Sequence, residues 1–403
     1  MDLNVINLYD GQVKPEQYEY RTPKGRKSYG YNKTRAEKDV RYHMFDIHKE
    51  LDLESKIRWG VELIKMSLSR SNNPVVSCSF GIDSIVTLYL VRQALVELGR
   101  DPSDVQVIWN NTLNEFQDVR VFAKQLIEDW NLNLIETKPK MSLMKVIDKY
   151  GSEGKVDTEY LIGRKGDRRG KKPLSEKCCG TLKHEPMRRA IKDNNWDLVI
   201  NGLRADESTQ RLRAGLRDGD FFYSSSEWKS FVCRPIMWMR EKDIWDMVEK
   251  YDIPYNTLYE KNLVQKYPEA LDQIIDDNID MLKDLKIDIT LLREQQLREF
   301  TKRQSVYLME LGFKIFTPRT GCLLCPIPIK YGYLQWMREY YPKVYDTMIY
   351  KLGYGEALLD LLPDEVKDDL ESFFNITLTE DTTTELLKEI LEYRPCTFDT
   401  LKK

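Results

Sequence analysis

The chain has 403 residues, 41% hydrophobic and 32% charged, which is room for about two or three domains and excludes a small disulfide scaffold, a disordered chain and a collagen-like one. Lys and Arg total 62 against 65 Asp and Glu, a formal net charge of −3, so no global positive field is available to hold nucleic acid and any such contact must be a local patch. No apolar run is long enough to cross a bilayer, and the start Met1-Asp2-Leu3-Asn4 lacks the pattern of a signal peptide, so a cytoplasmic protein with no membrane partner is expected.

Residues 1–70 read as a basic, Tyr-rich arm followed by a leading helix, with Ile57, Val61, Ile64 and Met66 at near-helical spacing. From Pro74 the pattern changes to short apolar runs, each followed by a helical stretch: Val75–Cys78, Val105–Trp109, Leu132–Ile135 and Leu198–Ile200. This alternation predicts an α/β domain over 71–260, with a mostly parallel sheet flanked by helices. In such sheets ligands bind beyond the carboxyl ends of the strands, so the residues just after each run are the places to look for chemistry. Residues 260–316 read as mostly helical, and 261–403 as a helical region carrying a C-x-x-C, with a last helix over 385–393.

Ser77-Cys78-Ser79-Phe80-Gly81-Ile82-Asp83-Ser84 lies between the first apolar run and the helical stretch Ile85–Leu90. Small residues let the backbone approach an anion there, and the N–H groups of the helix start point at it. No Lys precedes Ser84, so a Walker-type loop is excluded. Read from the residues alone, the segment is either a phosphate loop or a polar turn whose Ser and Asp cap the helix. It resembles the S-x-G-x-D-S loop of the PP-loop ATP pyrophosphatases, the adenine nucleotide α-hydrolase-like proteins. That resemblance implies that Ser77, Ser79, Phe80, Gly81, Asp83 and Ser84 surround the phosphates of ATP or a related adenylate, with Mg²⁺ near Asp83.

Three further segments narrow the resemblance to the phosphoadenosine phosphosulfate (PAPS) reductase family. Asn110-Asn111-Thr112-Leu113 resembles its [DN]-T-G segment, with Leu113 in place of the Gly, and implies nucleotide contacts from Asn111 and Thr112. Gly202-Leu203-Arg204-Ala205-Asp206-Glu207-Ser208 with Arg211 resembles G-x-R-x-x-E-S-x-x-R. By that match Gly202, Arg204, Glu207 and Ser208 would line the nucleotide, and Arg204 and Arg211 would act with Asp83 in catalysis. Guanidinium forks after a strand suit bidentate phosphate or sulfate contacts; the plainer reading is a pair of surface ion pairs. Arg234-Pro235-Ile236 with Trp238, Asp243-Ile244-Trp245 and Ile253-Pro254 through Leu258-Tyr259 complete the resemblance, and core packing accounts for most of these aromatics.

Of seven cysteines, four are paired in sequence: Cys178-Cys179 and Cys322-Leu323-Leu324-Cys325. Spacing leaves two unrelated buried pairs and one shared site equally open. The segment Cys178–Met187 is similar to the C-C-x-x-[RL]-K-x-x-P-[LM] of adenylyl-sulfate reductases, which implies that the four cysteines hold a [4Fe-4S] cluster, with zinc as the alternative. Just before them, Arg164–Lys172 is dense in Lys and Arg. This is either a solvated loop or a local patch for a nucleic-acid substrate. Cys396 sits in a tail that lacks the E-C-G-L-H of PAPS reductases, which turns the expectation from sulfonucleotide reduction toward ATP-dependent adenylation. Sulfur transfer to nucleic acid, as in DNA phosphorothioation enzymes, and a sulfur donor such as a cysteine desulfurase are then implied. The alternatives are an adenylyl-sulfate or PAPS reductase releasing sulfite, and a nucleotide-binding regulatory protein without turnover.

Overall fold

The computed structural model describes residues 17–23, 25–31, 42, 45–150, 154–156, 174–224, 228–298, 300–379, 382, 386 and 389–390. The chain divides into two compact units. The first comprises Met1–Asn111, Gln117–Thr137 and Pro186–Asn256, and the second Thr112–Phe116, Lys138–Glu185 and Thr257–Lys403. This differs from the division expected at 70 and 260: Thr112–Phe116 and Lys138–Glu185 join the C-terminal residues. Both segments follow strand ends, where a chain leaving a sheet is free to pack on another core. The basic run 164–172, Cys396 and most of the helix expected over 385–393 lie outside the described residues.

In the first unit, β1 (Gln17–Arg21) and β2 (Lys27–Tyr31) pair as an antiparallel hairpin within the expected arm. Helix α1 (Leu53–Ser69) begins where the Asp52 carboxylate accepts from the Ser55 N–H at 2.7 Å, and it buries Ile57, Val61, Ile64 and Met66. The four runs read as strands are β3 (Pro74–Ser77), β4 (Gln106–Asn110), β5 (Asn133–Thr137) and β6 (Leu198–Asn201). They are joined by two that the pattern does not announce, β7 (Phe221–Ser224) and β8 (Ser230–Cys233).

The six-stranded sheet has the order β5-β4-β3-β6-β8-β7, and only β7 runs antiparallel to its neighbour. Val75, Ile108 and Val199 from three of its strands are buried with Met187, Ala190 and Ile191. Those three lie on the helix Glu185–Asn194. The chain winds outward from β3 to β5 and then returns to lay β6 on the other side of β3. The topological switch point therefore falls between β3 and β6, whose last residues, Ser77 and Asn201, are register partners. Open α/β sheets bind ligands at that place.

In the second unit the stretch 260–316, expected to be mostly helical, also contains an antiparallel pair, β9 (Leu263–Lys266) and β10 (Lys314–Phe316). Each strand is too short for periodicity to register. Around them Ile275, Leu282, Leu292 and Leu308 close an apolar core. Among the described residues no helix is long and apolar enough to cross a membrane.

Candidate functional site

The segment after β3 enters helix α2 (Ile82–Glu97) through Gly81, and no side chain caps that helix. The serines turn inward instead. Ser84 Oγ donates to the Gly81 carbonyl at 2.7 Å and accepts from the Ser79 N–H at 3.2 Å, while Gly81 N–H donates to Ser79 Oγ at 3.4 Å. The hydroxyls thus shape a loop, and the positive end of α2 is left without a side-chain cap, as an anion site requires. Phe80 holds a left-handed φ of 58°; it is anchored by burial and an edge contact with Trp109 at 5.2 Å.

The second wall comes from β6. Gly202 is obligatory: a Cβ there would lie 2.5 Å from the Asp83 carbonyl oxygen and 2.8 Å from Thr87 Oγ1. This close approach lets Arg204 reach the phosphate loop. Arg204 is 4% exposed; its Nε donates to Asp83 Oδ1 at 2.7 Å and its Nη2 to Asp83 Oδ2 at 3.5 Å. Burial works against the guanidinium charge, and the neighbouring Asp83 carboxylate more than offsets this, so the Arg204 pKa is raised. Arg211 is paired with Glu207 and is far more exposed. Glu207 also accepts from the Arg204 N–H at 3.3 Å. Ser208 accepts from the Arg211 N–H and caps helix α3 (Thr209–Asp218). Both arginines therefore have carboxylate partners, as the plainer reading held, although Arg204 is deeply buried rather than superficial.

The expected nucleotide contacts Asn111 and Thr112 part company. Asn111 belongs to the first unit, where its amide donates to Glu136 at 2.7 Å. Thr112 belongs to the second, where its N–H and hydroxyl both donate to Glu115 Oε1, at 2.8 and 2.7 Å, and its Oγ1 lies 3.6 Å from Cys322 Sγ. Leu113, standing where the family has Gly, takes φ 64° with its side chain about half exposed. The Gly-type backbone is thus retained without the glycine.

Cys178 and Cys179 end the helix Leu174–Cys179, and a single π-helical turn, Gly180–His184, follows them. Such turns are rare and recur at functional sites. The loop carrying Cys322 and Cys325 is held at its carbonyls and amides: Tyr333 donates to the Leu323 carbonyl at 2.5 Å, Tyr354 to the Leu324 carbonyl at 2.6 Å, and the Leu323 N–H donates to the Asn114 carbonyl at 2.6 Å. Sequence reasoning missed the two tyrosines, which lie in the stretch read only as a helical region.

Burial pushes the Cys178 thiol up to about 12 and Cys325 to about 11, and raises Cys322. The Cys179, Cys322 and Cys325 charges add to the effect at Cys178. Lys183 is raised in turn, chiefly by Cys322. All four thiols therefore share one neighbourhood in this unit. In kind the donor set fits an iron-sulfur cluster or zinc: four soft sulfurs with a cation beside them. Among the described residues no group of three or more His, Cys, Asp or Glu side chains is already arranged to hold a metal ion. The sulfurs are neighbours without forming a closed shell.

A small-residue strand-to-helix loop and a buried arginine meet at the switch point of this mostly parallel α/β sheet. The sequence pattern described as phosphoadenosine phosphosulfate reductase domain matches residues 73–328, well over half of the chain. The chain belongs to this family. It is 24% identical over 217 residues to an adenosine 5'-phosphosulfate reductase of Staphylococcus epidermidis, covering 53% of this chain and 76% of that protein. It is 27% identical over 229 residues to a phosphoadenosine 5'-phosphosulfate reductase of Vibrio parahaemolyticus, covering 57% and 75%. Among solved structures, the phosphate complex of a PAPS reductase from Candida auris overlays with a TM-score of 0.37 at 18% identity, covering 57% of this chain and 92% of that one.

Proposed function

We propose that the protein is an ATP pyrophosphatase that adenylates an acceptor for sulfur transfer, with nucleic acid as the acceptor class. The observation that carries this reading is the uncapped start of α2 at the switch point, with Arg204 held against Asp83. These two side chains neutralise each other. An entering triphosphate would compete for Arg204, and Asp83 would then be free to face Mg²⁺, which when bound supplies charge neutralisation for a leaving pyrophosphate. The acceptor's nucleophile would attack the α-phosphorus, the bond to the bridging oxygen would break, and pyrophosphate would depart with that electron pair. Backbone N–H groups at the start of α2 and the Arg204 fork would stabilise the charge developing on the phosphate oxygens.

Cys178, Cys179, Cys322 and Cys325 would hold a [4Fe-4S] cluster, whose chemistry when bound would be sulfur or electron transfer. Thr112 and Lys183 would supply the polar contacts beside it. The absence of E-C-G-L-H around Cys396 supports adenylation over sulfonucleotide reduction.

The names of the Staphylococcus and Vibrio relatives support a second reading, reduction of adenylyl sulfate or PAPS. One assay separates the two. Anaerobically purified protein is given ATP with an oligonucleotide, or a sulfonucleotide with a thiol reductant. Pyrophosphate release in the first tube supports adenylation, whereas sulfite in the second with no pyrophosphate in the first replaces it with reduction.

A further inference from the structure

A cavity of about 520 Å³ opens in the first unit; Ser77, Ser79, Gly81, Asp83, Ser84 and Arg204 do not line it, and of the expected nucleotide contacts Ser208 alone does. Its volume falls within the range of small-ligand sites, about 300–1,000 Å³. The inner wall is aromatic: Phe45 and Trp238 meet at 5.5 Å between ring centroids, and both line the cavity with His48, Ala205 and Leu212. The mouth is polar, with Lys49, Arg240, Ser208 and Thr209 exposed and Asp206 beside them. Lys49 stands 4.1 Å over the Phe45 ring. Ser208 caps and Thr209 opens the ten-residue helix α3, so that helix end is already satisfied, and the cations of the mouth are Arg240 and Lys49, the latter ion-paired with Asp46 at 3.1 Å.

An aromatic inner wall of two rings tilted 60° to each other, cations and hydroxyls at the rim and one carboxylate acceptor match the parts of a nucleotide: base, phosphate, and ribose hydroxyl or exocyclic amine. We propose that this cavity is a second nucleotide site, which takes a base against Trp238 and Phe45 and a phosphate between Lys49 and Arg240. The occupant is either a free mononucleotide or one unit of a single strand. The site also has a physical link to the crevice. Asp206 accepts from Arg204 Nη1 at 3.5 Å and from the Glu241 N–H at 3.0 Å, so the guanidinium that holds Asp83 also touches the second site.

The test uses the full chain with α,β-methylene-ATP saturating the crevice. A fluorescein-labelled uridine decamer is titrated by anisotropy, and uridine 5'-monophosphate by quenching of tryptophan fluorescence. The expected result is binding of at least one probe, weakened tenfold or more both by K49E with R240E, which reverses the rim charge, and by L212W, which fills the cavity without changing charge. The affinity for α,β-methylene-ATP should stay within twofold and the circular dichroism unchanged. Binding of the monophosphate would assign the free nucleotide, and binding of the decamer alone would assign a strand. The proposal is overturned if neither probe binds, or if L212W leaves affinity intact while charge reversal lowers it, which would reduce the feature to a surface charge patch.

Discussion

The nucleotide crevice and the thiol site solve the problem of holding reactive groups in opposite ways. The crevice opposes full charges, Arg204 against Asp83, across the switch point of a sheet whose strand ends are fixed by register. At the thiol site burial raises Cys178, Cys322 and Cys325, and hydrogen bonds from Tyr333 and Tyr354 to backbone carbonyls hold the loop of the C-x-x-C. On the proposed function, the first would part an ion pair and the second would lose protons. The first should therefore respond to mutation of charge, and the second to pH.

The largest effect expected on this contrast is at Arg204. Arg204→Ala removes one partner of a mostly buried pair, which costs about 3–5 kcal/mol where both charges are fully buried; because Asp83 is 23% exposed, a loss near 3 kcal/mol is expected. Nucleotide binding should be lost with it. Arg211→Ala, at a pair whose arginine is 42% exposed, should change stability by less than about 1 kcal/mol. Urea unfolding with calorimetric titration of ATP reads both quantities, and equal losses at the two positions would break the comparison.

Next is Gly202→Ala, whose Cβ would press on the Asp83 backbone. Crowding of this kind costs about 1–3 kcal/mol, and because the obstructing atoms are main chain, the phosphate loop must shift. A drop in ATP affinity of more than tenfold is expected, with Co²⁺ binding at the four cysteines, followed by its thiolate charge-transfer absorption, unchanged.

The pH response of the unloaded protein follows from its buried thiols. An ordinary thiol stands near 9.0, and burial pushes Cys78 and Cys325 to about 11 and Cys178 and Cys233 to about 12. A folded pKa above the unfolded one means that the native state holds the proton more tightly. The contribution to stability is complete below pH 9 and is lost as pH rises through 11 to 12. Urea midpoints should fall between pH 8 and pH 10. Metal loading must displace the protons of Cys178 and Cys325 among these, so Co²⁺ affinity should rise over that interval.

The smallest effect sharpens the comparison at its join in sequence. Leu113 pays for a left-handed backbone that costs an L-residue roughly 1–2 kcal/mol, against about 0.5–1 kcal/mol of extra chain entropy lost by glycine. Leu113→Gly should stabilise the protein by less than about 1 kcal/mol, read as a higher urea midpoint. A fall would mean that the half-exposed leucine is held by contacts on the second unit's surface.

Much of the crevice was legible in sequence because its parts are local. A strand, a small-residue turn and a helix follow one another within Pro74–Glu97, and Gly202 to Arg211 repeats that economy after β6. Periodicity of apolar residues located the strands, and residue type at their ends located the polar groups. The thiol site was legible only as two cysteine pairs, since nothing in spacing tells which of several loops a pair will meet.

What the sequence determined by itself was therefore the α/β class, the strand-turn-helix order around Ser77–Ser84 and the pairing of four cysteines in sequence. Each depends on backbone propensity or on chemistry carried by a few consecutive residues. Only the tertiary structure decided that Arg204 spends its charge on Asp83, that Thr112 turns to Glu115 and Cys322, that two tyrosines hold the C-x-x-C loop, and that an aromatic cavity opens beside Asp206. Those outcomes rest on distances between residues far apart in the chain. Such distances are settled by how cores close, because a hydrogen bond or ion pair forms with whichever partner packing brings within reach, whatever the sequence places nearby.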